Sequence, residues 1–427
     1  MRILISGGRV IDPANGIDEM IDLYIAGRYI AALGTCPEGF TPDLTIDARG
    51  RIVCPGLIDL RARLREPGQE HKATIETETT AAAAGGITTI CCPPDTDPVI
   101  DTPAVATMVR SRARAVGKAR VLPLGALTQG LRGEQLSEMS ALKEAGCVGV
   151  SNVLQPLANH LILRRAMEYA ATFDLTVFVN PEDYHLSCGG AAHDGAVAAR
   201  LGLPGIPQAA ETVAVAATLA LVEELGTRTH FAQLSTARGA QMLGRAQHDG
   251  LPVTGDVSAH HLHLTETDVL DFDNLCHIRP PLRTQRDRDG LRDWLARGAI
   301  GAICSDHQPH EEDAKLAPFG DTAYGISGLE TLLPLSLRLF DDGVLDLSEI
   351  IARLTCQPAA ILGRQRSGTL AVDAVADVCI FDPERYWTVS PDSLLSRGHN
   401  TPFLNWEMKG RVTHTFLAGD PTFELAT

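Results

Sequence analysis

The chain has 427 residues, 44% of them hydrophobic and 21% charged, and a formal charge of −16. This is the composition of a globular protein with room for a large core, either one big domain with an attachment or two to three ordinary ones. The acidic balance argues against nucleic acid and anionic membrane surfaces, which call for clustered basic residues, and no apolar run approaches the roughly 20 residues of a membrane span.

The first stretch, MRILISGGRVIDPANG, reads as a β-strand and turn, without the basic and apolar regions of a secretory signal, so a cytoplasmic location is expected. Ten cysteines are scattered without CxxC spacing, mostly inside apolar runs, and read as small core residues in a reducing compartment. From about residue 53 to 306, eight short apolar runs alternate with helix-like segments: IVCPGLIDL (52–60), GITTICCP (86–93), RVLPLGAL (120–127), CVGVSN (147–152), LTVFVN (175–180), THFAQLS (229–235), PVTGDVS (252–258) and AIGAICSD (299–306). Eight β/α units closing on themselves make a TIM barrel. Between the runs, Ala81–Gly86 ends one helix, Leu161–Phe173 is amphipathic and Pro207–Leu225 is alanine-rich. Segments such as ILISGGRVID and GRVTHTFLAGD give both chain ends strand character, and neither end alone can bury a face. The expected organisation is therefore an α/β fold: a barrel over 52–365, with one small β domain built jointly from 1–51 and 366–427.

Chemistry on such a barrel sits at the C-terminal ends of the strands. The residues there are Arg61 and Arg63 after the first run, Asp95 after the second, Asn152, Asn180 and Gln233 after the fourth to sixth, His260 after the seventh and Asp306 after the eighth. Arginine has donors only and stays protonated, and neutral amides are weak partners for zinc, so few of these side chains can bind a metal.

The motifs resemble those of the dihydroorotases, zinc-dependent cyclic amidohydrolases of pyrimidine biosynthesis, over nearly the whole chain. PGLIDLRARLREPG (55–68) resembles the family's first-strand signature, PPDTDP (93–98) its MPNTNP loop and SAHHLHLT (258–265) its PHH segment. PPLRTQRDRDGL (280–291) resembles its PPLR segment, SDHQPH (305–310) its DHAPH segment and GISGLET (325–331) its flap. The resemblance implies that Arg61 and Arg63 stand where the family has a His-x-His pair, Asn152 where it has a bridging carboxylate or carbamylated lysine, and Asn180 and Gln233 where it has histidines. Asp306 alone keeps its family identity, that of ligand and proton shuttle. Arg65, Asp95, Arg279 and His310 fall in the family's substrate pocket, Arg65 matching a carboxylate-binding arginine and Asp95 and Arg279 replacing asparagines.

A single carboxylate cannot hold zinc against two guanidinium groups, so neither a metal nor any other cofactor, and no dihydroorotase activity, is expected. An arginine–Asp306 pair is expected to stand in for the missing cation, because an unpaired buried carboxylate is costly. Asp95 is expected to pair with Arg65 or Arg279. His260, His261, His263, His307 and His310 are expected to shape the pocket rather than rebuild a metal site, and Glu182 and Asp183 to brace their loop. Some bacterial members of the family resemble this chain in having degenerate zinc motifs, and they accompany aspartate transcarbamoylase as structural subunits. The resemblance thus implies a non-catalytic protein, homo-oligomeric and partnered with the transcarbamoylase catalytic chain. The alternatives are an active cyclic amidohydrolase with an unusual metal set, and a metal-free binder of a small anion.

Overall fold

The computed structural model describes residues 1–426. The barrel is formed by eight parallel strands: β1 (Leu57–Asp59), β2 (Ile87–Cys92), β3 (Arg120–Pro123, continued by Gly125–Ala126), β4 (Gly149–Ser151), β5 (Thr176–Val179), β6 (Thr229–Phe231), β7 (Val253–Ser258) and β8 (Ala302–Cys304). Neighbours in sequence pair with one another, β3 bending at Leu124 so that its first piece pairs with β2 and its second with β4. The ring closes just beyond β1 and β8 through a parallel bridge between Ala62 and His307. There Arg63 N donates to the His307 carbonyl at 2.9 Å and His307 N to that of Arg61 at 3.3 Å, so the two arginines lie on the seam of the barrel.

Inside the ring, Ile58, Leu60, Cys91, Leu122, Phe178, Ala302 and Cys304 pack together, which makes it a filled core and not a pore. The crossover helices follow their sequence signals. Thr74 and Thr77 form a capping box at the start of Ile75–Ala84. His160–Thr172 buries Leu163, Ala166, Met167 and Ala170, the i, i+3, i+4, i+7 stripe of an amphipathic helix. No helix among the described residues is long and apolar enough to cross a membrane.

The chain ends do combine. A six-stranded sheet runs in the order Asp420–Glu424, Glu407–Leu417, Val378–Thr388, Ile52–Pro55, Arg9–Asp12, Ile17–Met20, and a four-stranded sheet in the order Tyr29–Leu33, Leu23–Ala26, Arg2–Ser6, Leu44–Asp47. Ile3, Ile5, Val10, Leu23, Ile25, Val378, Ile380 and Phe416 are among the residues of their shared core. This corrects the reading of 52–60 as one barrel strand. Ile52–Pro55 pairs with Val378–Phe381 and Arg9–Val10, and only Leu57–Asp59 enters the barrel. The change of sheet falls at Gly56, where a Cβ would come within 2.3 Å of Thr88, so only glycine lets the strands cross this closely.

Candidate functional site

The mouth is held together by buried polar contacts that start at Asp59. Its carboxylate accepts from the backbone N of Arg61 at 3.1 Å and of Ser305 at 3.0 Å, and from the Ser305 hydroxyl, tying β1 to β8. Burial raises the Asp59 carboxyl to about 7. On this tie stand Arg61, Arg63 and Asp306, with side chains only 3%, 4% and 2% exposed.

Arg61 Nε lies 3.3 Å from Asp306 Oδ1, and Arg63 Nη1 donates to the same oxygen at 3.3 Å. Gln308 Nε2 donates to Asp306 Oδ2 at 3.1 Å. The other edge of Arg63 donates from Nε to Asp95 Oδ2 at 2.7 Å. Arg61 Nη1 donates to Asn180 Oδ1 at 2.8 Å, Asn180 Nδ2 donates to Gln233 Oε1 at 2.6 Å, and Gln233 N donates to Asp256 Oδ1 at 2.6 Å. One chain of contacts therefore runs from β7 through β6, β5, β1 and β8 to β2. Asp306, Gln233 and Arg65 all have positive φ, at 44°, 59° and 61°. For such residues this costs about 1–2 kcal/mol and persists only where the surroundings over-determine it.

Charge is balanced locally. Burial pushes the Asp306 carboxyl above its ordinary range while Arg61 and Arg63 pull it back. Burial also acts on Asp95, but Arg63, Arg61 and Arg65 outweigh it and hold that carboxyl below its ordinary range. Burial and the nearby Arg63 lower the Arg61 guanidinium. Among the described residues, Arg61 Nε and Nη2, Arg63 Nη2 and Gln233 Nε2 are buried without a hydrogen-bond partner, so Arg61 meets Asp306 as an ion pair only.

The expected arginine–Asp306 contact is thus present, and both arginines make it. One other expectation is corrected. Asp95 pairs with Arg63 and not with Arg65 or Arg279, because Arg63, two residues before Arg65, reaches across to β2. Arg279 instead meets Glu182 through the Nε–Nη2 edge of its guanidinium, with Nε donating to Oε2 at 3.0 Å and Nη2 to Oε1. Asn152 does not join the network. It accepts from Thr128 Oγ1 at 2.7 Å and donates to the carbonyls of Gln155 at 2.8 Å and Leu131 at 3.3 Å, so it is spent on its own loop.

Arg65 donates to the Pro309 carbonyl at 3.0 Å and lies 2.9 Å from His310 Nε2. Burial, with Arg65 and Lys72 close by, lowers His310 to about 2, and burial lowers His260 and His261 to about 3, so all three are neutral at pH 7. His261 Nδ1 and His260 Nε2 lie 2.6 and 3.0 Å from Ser258 Oγ. Asp183 caps the short helix Tyr184–Ser187 by accepting from His185 N and Leu186 N.

Several contributors were not singled out from the sequence: Asp59, Ser305, Gln308, the His307–Glu78 contact of 2.7 Å and the His230–Asp256 contact of 2.9 Å. Asp59 and Ser305 stand within two residues of Arg61 and Asp306, and that nearness is the signal the sequence offers. Glu78 lies within a helix and gives none.

The donor set does not fit zinc. Its positions present two guanidinium groups, three amides and one carboxylate, and catalytic zinc needs three protein ligands of the Cys, His or carboxylate kind. Among the described residues no three His, Cys, Asp or Glu side chains gather as a metal site elsewhere. The cleft beside Asn180, lined also by Asn152, Phe178 and Glu182, has about 50 Å³, far below the several hundred Å³ typical of ligand pockets.

A closed eight-stranded barrel with a β domain made by both chain ends, and polar residues gathered at the strand C-termini, defines an amidohydrolase-type TIM barrel. The structure superposes on L-hydantoinase (dihydropyrimidinase) from Arthrobacter aurescens with a TM-score of 0.88, covering 100% of this chain and 96% of that one at 23% identity, a likeness of fold. A family model described as dihydro-orotase-like matches residues 50–238. Over 419 residues the chain is 52% identical to a dihydroorotase-like protein of Pseudomonas putida, covering 98% of each. It is 51% identical to a dihydroorotase-like protein of Pseudomonas aeruginosa, covering 99% of this chain and 100% of that one, and 44% identical, with the same coverage, to a dihydroorotase of Geobacter sp. strain M21. The chain belongs to the dihydroorotase-like family.

Proposed function

We propose that this chain is a non-catalytic, cytoplasmic member of its family, without zinc at the mouth, kept as a structural subunit that assembles with itself and with an aspartate transcarbamoylase catalytic chain in pyrimidine biosynthesis. The observation that carries the loss of catalysis is the Arg61–Asp306–Arg63 contact. It places fixed positive charge against the one remaining carboxylate, where a metal would have to bind. Without a metal there is no water of lowered pKa and no Lewis acid on a cyclic amide. The names of the two Pseudomonas relatives are consistent with this reading, and the transcarbamoylase partner rests on family resemblance alone.

Metal analysis and a dihydroorotate turnover assay on the purified chain test the first half. No bound zinc and no turnover are expected, and stoichiometric zinc with measurable turnover would return the chain to the active amidohydrolases. Size-exclusion with the transcarbamoylase tests the second half. Co-elution is expected, and a transcarbamoylase that is fully active and elutes apart would sink it.

One observation favours a second reading, a small-anion site at the mouth: the unpartnered donors Arg61 Nη2, Arg63 Nη2 and Gln233 Nε2. Buried donors almost always have a partner. A melting temperature that rises with formate or bicarbonate, and no longer does so in Gln233→Leu, would support it.

A further inference from the structure

At the opposite end of the barrel, where β3 begins with Arg120, a cleft of about 540 Å³ separates the barrel from the β domain. Arg110 and Arg114 come from the last turns of helix Pro103–Val116, Arg120 from β3, Arg364 from beyond helix Cys356–Ile361 and Arg28 from the turn after strand Leu23–Ala26. Apart from Asp420, the remaining wall is apolar, with Ala113, Gly117, Ala119, Val121, Leu417 and Ala418 among its residues. The rim is tightly assembled. A Cβ on Gly419, whose φ is +80°, would lie 2.0 Å from the Gly27 carbonyl oxygen, so the two hairpin turns touch backbone to backbone.

The charge here is unbalanced in a protein whose net charge is −16. Arg120 is neutralised by Asp377 at 2.8 Å, and Arg110 spends Nη1 on the Ala145 carbonyl at 2.6 Å. Asp420 is the one carboxylate on the lining, and Arg28, Arg114 and Arg364 form no ion pair among the described residues. Arg364 Nε is buried and has no hydrogen-bond partner. Burial lowers the Arg364 guanidinium, and the like charges of Arg120 and Arg110 push in the same direction against the carboxylate of Asp377.

Like charges are gathered in this way when an anion will separate them. Guanidinium forks match the paired oxygens of phosphate, and the space lies within the range of small-ligand pockets. Three arginines without carboxylates call for more negative charge than one carboxylate or one phosphate supplies. Among the described residues no aromatic side chain lines the cleft, so nothing there stacks a base, and recognition would be of the phosphate chain itself. We propose that this cleft, formed by Arg28, Arg110, Arg114, Arg120 and Arg364, binds the di- or triphosphate group of a small phosphorylated ligand, independently of whatever the barrel mouth does.

Isothermal titration calorimetry of the full chain with inorganic tripolyphosphate tests it, with orthophosphate and a short polyglutamate peptide as comparators. Saturable one-to-one binding of tripolyphosphate is expected, tighter than that of orthophosphate and weakening as salt is raised. Arg114→Gln and Arg28→Gln, both at exposed positions, should each weaken it about tenfold, the loss expected for one charge-assisted hydrogen bond, and Arg364→Gln by as much or more. Arg238→Gln, on the distant helix Ala237–His248, should leave it unchanged. The proposal is overturned by an absence of saturable heat, by equal weakening in Arg238→Gln, or by affinity unchanged in both Arg114→Gln and Arg28→Gln. Binding of polyglutamate without tripolyphosphate would overturn it too, assigning the cleft to an acidic protein segment.

Discussion

At the mouth of the barrel Arg61 and Arg63 are buried against Asp306 and Asp95, whereas at the other end Arg28, Arg114 and Arg364 line an open cleft without carboxylate partners. The same side chain serves two purposes. At the mouth each guanidinium was desolvated when the chain folded, so its partners are part of the fold. In the cleft Arg28 and Arg114 are exposed to water and stand unpaired, so their value lies in what they can bind. The difference predicts that mouth substitutions change stability, while cleft substitutions change binding and leave stability nearly untouched.

The largest effect is expected for Asp306→Asn, which strips two buried guanidiniums of their shared counter-ion. Breaking a buried pair from one side costs about 3–5 kcal/mol, readable as a drop in the urea midpoint. If the midpoint hardly moves, the mouth charges are better hydrated than their burial indicates and the contrast with the cleft collapses. Replacing the whole group, Arg61→Met with Arg63→Met and Asp306→Leu, should be far milder than Asp306→Asn alone, because no charge is left behind. A triple variant less stable than the single one would mean that the network supports the fold beyond its own charges.

A third effect is a dependence on pH. Burial holds His260 and His261 at about 3, His263 and His277 at about 4 and His310 at about 2, whereas in the unfolded chain each returns to about 6.5. Below pH 6.5 the unfolded chain therefore takes up protons that the folded chain refuses, and stability falls as the pH drops. Asp59 and Glu330, both raised by burial to about 7, work the other way, since the fold keeps their protons where the unfolded chain has released them. The histidines are more numerous, so melting temperatures measured from pH 7 down to 4.5 should decline. A rise over that range would show that the carboxyls dominate. The smallest effect is that of Arg114→Gln on stability, within about 0.5 kcal/mol, as for other surface substitutions. A larger loss would make the cleft arginines structural after all.

Much of this was legible in the sequence. The eight strands announced themselves as short apolar runs, and the residues closing them identified the mouth. The joining of the two chain ends followed from each having too few strands to bury a face. What was not legible was the choice of partner. Asp95 had three arginines within conceivable reach, and which one it meets depends on how the turn after β1 directs alternate side chains, which spacing does not determine. Asn152 stands at a strand end like the others, yet Thr128 and the Gln155 carbonyl capture it first, and competition from a neighbouring loop leaves no mark in a motif. Ile52–Pro55 and Leu57–Asp59 form one continuous apolar run, and hydrophobicity alone cannot reveal that the chain changes sheets at Gly56.

The position of Ile52–Pro55 bears on how the molecule is made. It lies in its sheet between Arg9–Asp12, synthesised before it, and Val378–Thr388, synthesised long after. On the ribosome one edge of this apolar strand stays open until the last segments emerge, while every barrel strand can be laid beside its predecessor as it appears. Pairings between distant segments are slow to form and exposed to aggregation in the meantime. The C-terminal strands act as a latch on the N-terminal ones. Chains cut short before Val378 would leave the edge of Ile52–Pro55 unguarded.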